Sequence, residues 1–168
     1  MSKKWLDSDQ EIDRIQNSNN YISVELGIIT VDPTEIIGLS RKLEENDLIY
    51  LRNKIINMGW KDINPRGISL VLRPEGGYVV GSGGNHRAII SNELGIKEIT
   101  AEVIAYIDKS KMTDEEKEHI RLEEEKISEL NRSIRQYKGD EKRYRLIEEI
   151  AALEFALEEY KKGIYYRT

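Results

Sequence analysis

The residues best suited to chemistry stand together in GSGGNHR, positions 81–87. Gly81, Gly83 and Gly84 follow a β-rich apolar run, YVV, and precede a helical pattern, HRAIISNELG. Glycines after a strand permit a tight turn that exposes backbone N–H groups. A helix starting there adds N–H donors without an intrahelical partner and the positive end of its dipole. Such a place binds anions, and a nucleotide phosphate is the obvious class. Ser82, Gly83, Gly84, Asn85, His86 and Arg87 are therefore the candidate phosphate-binding residues. Arg87 can make paired hydrogen bonds to phosphate oxygens, and His86 can add a donor. The same residues also suit a plain glycine-rich turn before a helix, with His86 as a structural hydrogen-bonder. The stretch has neither the GKS or GKT of a P-loop nor the spaced glycines of a dinucleotide-binding unit.

The elements that must position this stretch read as follows. SDQEIDRIQN, 8–17, predicts a short helix capped by Ser8. YISVELGIITV, 21–31, predicts a strand or bent pair that Pro33 stops. In NDLIYLRNKIINMGW, Leu48, Leu51, Ile55 and Met58 recur at helical spacing, with Asn46 or Asp47 as cap and Gly59 as stop. ISLVLRPEGGYVV predicts a hairpin turning at Pro74–Gly77, and the glycine-rich stretch starts where its second strand ends. A helix over HRAIISNEL closes at Gly95, and IKEITAEVIAY is a further strand ending near Tyr106.

Beyond Lys109–Thr113 the pattern changes. Thr113 and Glu116 form a capping-box signature, and Ile120, Ile127 and Ile134 with Leu130 and Tyr137 make a narrow apolar seam, interrupted at Glu123. Gly139-Asp140 breaks it, after which Leu146, Ile150, Leu153, Leu157 and Tyr160 continue, predicting an antiparallel helical hairpin. Surplus apolar surface there would make a homodimer. The expected architecture is α+β: an N-terminal segment or short helix over 1–19, a small mixed sheet with helices over about 20–108, and the hairpin over about 112–162.

Composition bounds the function. The 168 residues carry a net charge of −5, so no global field draws the molecule to nucleic acid. With no cysteine there is no disulfide, thiolate nucleophile or cysteine-based zinc site. Two histidines, His86 and His119, form no ligand cluster, so no protein-held metal is expected. No window is apolar enough to cross a bilayer and MSKKWLDSDQ has no apolar run after its lysines, which predicts a cytoplasmic protein without a membrane partner.

Gly83-Gly84-Asn85-His86-Arg87, preceded by a helix, loop and hairpin and followed by AIISNELGIKEITAEVI, resembles the superfamily of ParB N-terminal domains and sulfiredoxins over residues 21–107. The resemblance implies that this loop and helix start hold the phosphates of a nucleotide, ATP or CTP with magnesium. It also implies hydrolysis or phosphoryl transfer, since similar proteins include small-molecule kinases, nucleotide hydrolases and nucleases. Sulfiredoxins carry their catalytic cysteine in the slot of Asn85, so that chemistry is excluded. The helix-turn-helix module that follows in partition proteins is replaced here by the charged hairpin.

The loops that by this resemblance surround the cleft supply Glu35, Glu44, Glu45 and Asp62 as carboxylates and Arg41 and Arg66 as phosphate contacts. Glu44 is the first candidate for a proton acceptor, and His86 the second. Trp60 and Trp5 read as packing residues, with Trp60 next to the cleft loop. The hairpin tip, NRSIRQYKGDEKRYR, gathers Arg132, Arg135, Lys138, Lys142, Arg143 and Arg145. It reads either as a solvated face with local ion pairs or as a patch for DNA or an acidic protein, which a nucleotide would gate in a protein without turnover. A scaffold that keeps the loop as structure, with no ligand, is the third reading.

Overall fold

The computed structural model describes residues 3–61 and 67–168, so Asp62 and Arg66 lie outside the described residues. The chain divides into two units, Met1–Tyr106 and Ile107–Thr168, and the first 19 residues belong to the first of them. The architecture is α+β, with a mixed six-stranded sheet and five α-helices among the described residues.

In the first unit β1 (Leu6–Asp7) leads directly into α1 (Ser8–Gln16). The cap of α1 is Asp7, whose carboxylate accepts from the N–H groups of Asp9 and Gln10, and not Ser8. Pairing of Asp7 with Leu39 holds it extended, at φ −81° and ψ 108°, so the helix cannot start before Ser8. β2 (Tyr21–Val31) is one long strand. Its buried positions shift from the even Val24 and Leu26 to the odd Val31. Gly27, at φ +75°, lies at the shift, where a bulge with glycine in the left-handed region would reverse the alternation.

A 3-10 turn at Pro33–Glu35 leads into β3 (Ile36–Leu39), followed by α2 (Glu45–Met58). β4 (Ser69–Leu72) and β5 (Tyr78–Val80) form the hairpin expected from the Pro-Glu-Gly-Gly turn, with Leu70 opposite Val80 and Leu72 opposite Tyr78. α3 (Asn85–Glu93) ends at Gly95, φ +64°, and β6 (Ile99–Asp108) runs two residues beyond the expected Tyr106. Alternation in β6 is strict: Ile99, Ala101, Val103 and Ala105 are fully buried.

The strand order is β1-β3-β5-β4-β6-β2. β1, β3 and β5 are mutually parallel, so their carboxyl ends share one edge of the sheet. From that edge start the connections to α1, α2 and α3. Crevices outside the carboxyl ends of parallel strands are where open α/β sheets receive ligands.

In the second unit α4 (Asp114–Ile134) and α5 (Glu141–Arg167) pack on each other. The capping box forms as its residues predict. The Thr113 N–H donates to Glu116 Oε1 at 2.9 Å and the Glu116 N–H to Thr113 Oγ1 at 3.1 Å. Arg167, at the far end of α5, donates to both carboxylate oxygens of Glu116 at 2.5 and 2.6 Å, which fixes the two helices antiparallel. Of the expected seam, Ile120, Ile150 and Leu157 are buried, while Phe155, the only phenylalanine, is 69% exposed.

The hydrogen bond from the Thr113 backbone, then the Arg167 guanidinium, holds the Glu116 carboxyl below its ordinary 4.5. A lowered folded-state value means stabilisation present above about pH 4.5 and lost as pH falls through the folded value. Arg167→Met is therefore expected to lower the melting temperature at neutral pH, with the gap to wild type narrowing below pH 4. Thermal unfolding between pH 7 and pH 3 reads this, and a gap independent of pH refutes it.

Candidate functional site

The loop 81–84 continues the β4–β5 ladder past the end of the strand. The Gly81 N–H donates to the Ser69 carbonyl at 2.7 Å, and the Ser69 N–H to the Gly83 carbonyl at 3.0 Å. Gly84 then turns the chain at φ +111° and ψ 11° as the N-cap residue of α3. A Cβ on Gly84 would lie 3.0 Å from both Cα and Cγ2 of Ile68. This glycine is required twice, by its dihedral and by the close passage of the neighbouring backbone.

The first bond of α3 runs from the Ala88 N–H to the Gly84 carbonyl at 2.9 Å. No side chain caps this helix and no acid lies in its first turn. α1, α4 and α5 are capped by Asp7, Thr113 and Asp140, and α2 carries Glu45 and Asp47 in its first turn. Among the five α-helices, only α3 presents its positive end without a cap or a first-turn carboxylate, and its first turn holds His86 and Arg87 instead.

Asn85 is 5% exposed, and its amide is committed to Ser40. Its Oδ1 accepts from the Ser40 N–H at 2.9 Å, and its Nδ2 donates to Ser40 Oγ at 2.8 Å. The side chain thus fastens the start of α3 to the end of β3, which leaves the backbone N–H as the part of Asn85 available to a ligand. Ser82, on the crest of the loop, is exposed, and His86 is half-buried. Its Nε2 stands 3.9 Å from Asp47 Oδ2, too far for a hydrogen bond.

Arg87 lines a groove of about 230 Å³ whose floor is Leu51, Ile55 and Met58 of α2 with Trp60. Lys54 and Lys61 are its other cations among the described residues. Of the four α2 residues at helical spacing only Leu48 is buried, and Met58 is 61% exposed. The expected caps Asn46 and Asp47 are corrected, since the helix starts two to three residues earlier. Glu44 occupies the N-cap position and its side chain makes no capping bond.

The other expected cleft residues separate. Glu44 and Glu45 are exposed at the start of α2. Arg41, one residue after Ser40, lines a second groove of about 430 Å³ together with Trp5, Asp7, Asp9 and Lys42. Glu35 precedes β3 and so stands at the opposite edge of the sheet, beside the end of α3, where Asn92 Nδ2 donates to the Pro33 carbonyl at 2.7 Å. It does not join the loop. Asp47, Lys54 and Ser40 are the residues sequence reasoning passed over. Lys54 had a local signal, since it lies within the Leu51–Ile55–Met58 face that an interior helix would keep apolar.

Among the described residues no group of three His, Cys, Asp or Glu side chains could hold a metal ion, and no helix is long and apolar enough to cross a membrane. No protein-family model matches the chain, and no curated protein matches it in sequence.

Proposed function

We propose that the chain binds a nucleoside triphosphate, ATP or CTP, with its magnesium, at the loop 82–84 and the first turn of α3. It is read as a ParB- and sulfiredoxin-like module that hydrolyses the nucleotide or transfers its phosphate. The observation that carries this reading is the N-terminus of α3, which has neither cap nor first-turn acid and holds His86 and Arg87. A phosphate placed there takes the N–H groups of the first turn and the dipole, and Arg87 adds a forked pair of donors. The adjoining groove supports a nucleotide over inorganic phosphate, because it joins an apolar floor and Trp60 to the cations Lys54, Lys61 and Arg87.

Magnesium fits this site as part of the substrate, held by the phosphates, since it is commonly bound through one or two carboxylates plus phosphates. In turnover, an oxygen of water or of an acceptor hydroxyl bonds to the γ-phosphorus while the bond to the bridging oxygen breaks. The proton goes to a carboxylate from the start of α2. Glu44 and Asp47 are the candidates, three residues apart, and Asp47 is the one set beside His86.

Incubation with ATP or CTP and magnesium is expected to release phosphate or phosphorylate an acceptor. Arg87→Ala should reduce the rate at least tenfold, and Glu44→Gln or Asp47→Asn should reduce it without weakening binding. Binding without turnover would assign the site to a nucleotide-gated module, and absence of binding would overturn the proposal.

A further inference from the structure

We propose that the closed end of the helical hairpin, residues 132–145, is a docking surface for the phosphate backbone of nucleic acid. The proposal is independent of the nucleotide site. Six cations lie within this short stretch against Asp140 and Glu141, in a chain whose net charge is −5. The fold gathers them at one end, because α4 stops at Ile134, Gly139 turns at φ +66° and α5 starts at Glu141. Arg143 closes the turn by donating to the carbonyls of Ile134 at 3.1 Å and Tyr137 at 2.8 Å.

The cations divide by what they do. Arg143 is structural, Arg145 pairs with Glu141 at 2.7 Å, and Lys142 lies 5.7 Å from the centre of the Tyr137 ring. Arg132, Arg135 and Lys138 are exposed, and their side chains have no partner among the described residues. On the stem, by contrast, Arg121 pairs with Glu118 and Glu125, and Lys162 pairs with Glu159.

Helix stability does not account for the arrangement. The first turn of α4 carries Asp114, Glu115 and Glu116, as the dipole favours. The start of α5 carries Lys142, Arg143 and Arg145 behind the carboxylates of its N-cap Asp140 and of Glu141, and these three cations oppose the dipole. An anionic polymer reverses that cost. Tyr144, 61% exposed between Arg143 and Arg145, favours nucleic acid over an acidic protein, since its ring offers a base a stacking face.

The test uses the full chain with fluorescent 20-nucleotide single strands and duplexes, read by anisotropy from 50 to 300 mM salt. Three phosphates neutralised on a single strand give a slope of log K against log salt of about −2. Arg132→Ala, Arg135→Ala and Lys138→Ala combined should weaken binding at least tenfold at 50 mM salt and flatten the slope, with the melting temperature unchanged. Tyr144→Ala should weaken the single strand more than the duplex. No binding at 50 mM salt, or binding that the triple variant leaves intact, overturns the proposal. Displacement by poly-glutamate as effective as by unlabelled DNA would reassign the surface to acidic proteins and likewise overturn it.

Discussion

Gly84→Ala is expected to destabilise the first unit by about 2–5 kcal/mol and to abolish ligand binding at α3. The dihedral is the first cause. At φ +111° an L side chain meets the following carbonyl, at a cost of about 1–2 kcal/mol. Space is the second, because the new Cβ would sit 3.0 Å from the Cα of Ile68, a residue fully buried beside the start of β4. A backbone atom cannot swing aside as a side-chain end can, so overpacking adds about 1–3 kcal/mol. Gly83→Ala is the matched control. Its φ is not positive and its Cβ would come no closer than 3.5 Å to the Gly67 carbonyl oxygen. Chemical denaturation of the two variants should place Gly83→Ala within about 0.5 kcal/mol of wild type. Equal effects would contradict the geometry of the turn.

The second large effect is at Asn85. Asn85→Leu leaves the part-buried Ser40 N–H and hydroxyl without their partner. A buried group left unsatisfied costs about 1–3 kcal/mol. The loss reaches the site because this amide is what ties the end of β3 to the start of α3. We expect about 2 kcal/mol of destabilisation and weaker nucleotide binding from a residue whose side chain does not face the ligand. Ser40→Ala keeps the backbone N–H bond and should cost less. A double-mutant cycle of the two reads their coupling, and simple additivity would show that the link is not energetic.

These two residues mark how far the sequence could be read. Elements carried by local chemistry were legible: the Pro-Glu-Gly-Gly hairpin, the Thr113 capping box, the stops at Gly59 and Gly95 and the break at Gly139. Partners fixed by the sheet were not. Ser8 and Asp7 are both good caps, and the choice falls to Asp7 only because a strand far along the chain holds it extended. Asn85 reads as a ligand residue until Ser40, 45 positions away, takes both ends of its amide. Asp47 reads as a helix cap until the sheet order brings α2 beside His86. Glu35 and Arg41 flank the same short strand, and the direction of that strand alone sends one away from the loop and leaves the other near it.

The central claim is that α3 holds nucleotide phosphates, and thermal unfolding with mono-, di- and triphosphates, with and without magnesium, tests it most directly. A ligand that binds only the folded chain stabilises it by about 2.7 kcal/mol at a hundred times its dissociation constant. The account predicts a triphosphate-dependent rise in melting temperature that Arg87→Ala abolishes. No shift with any nucleotide, or the same shift in Arg87→Ala, would contradict it.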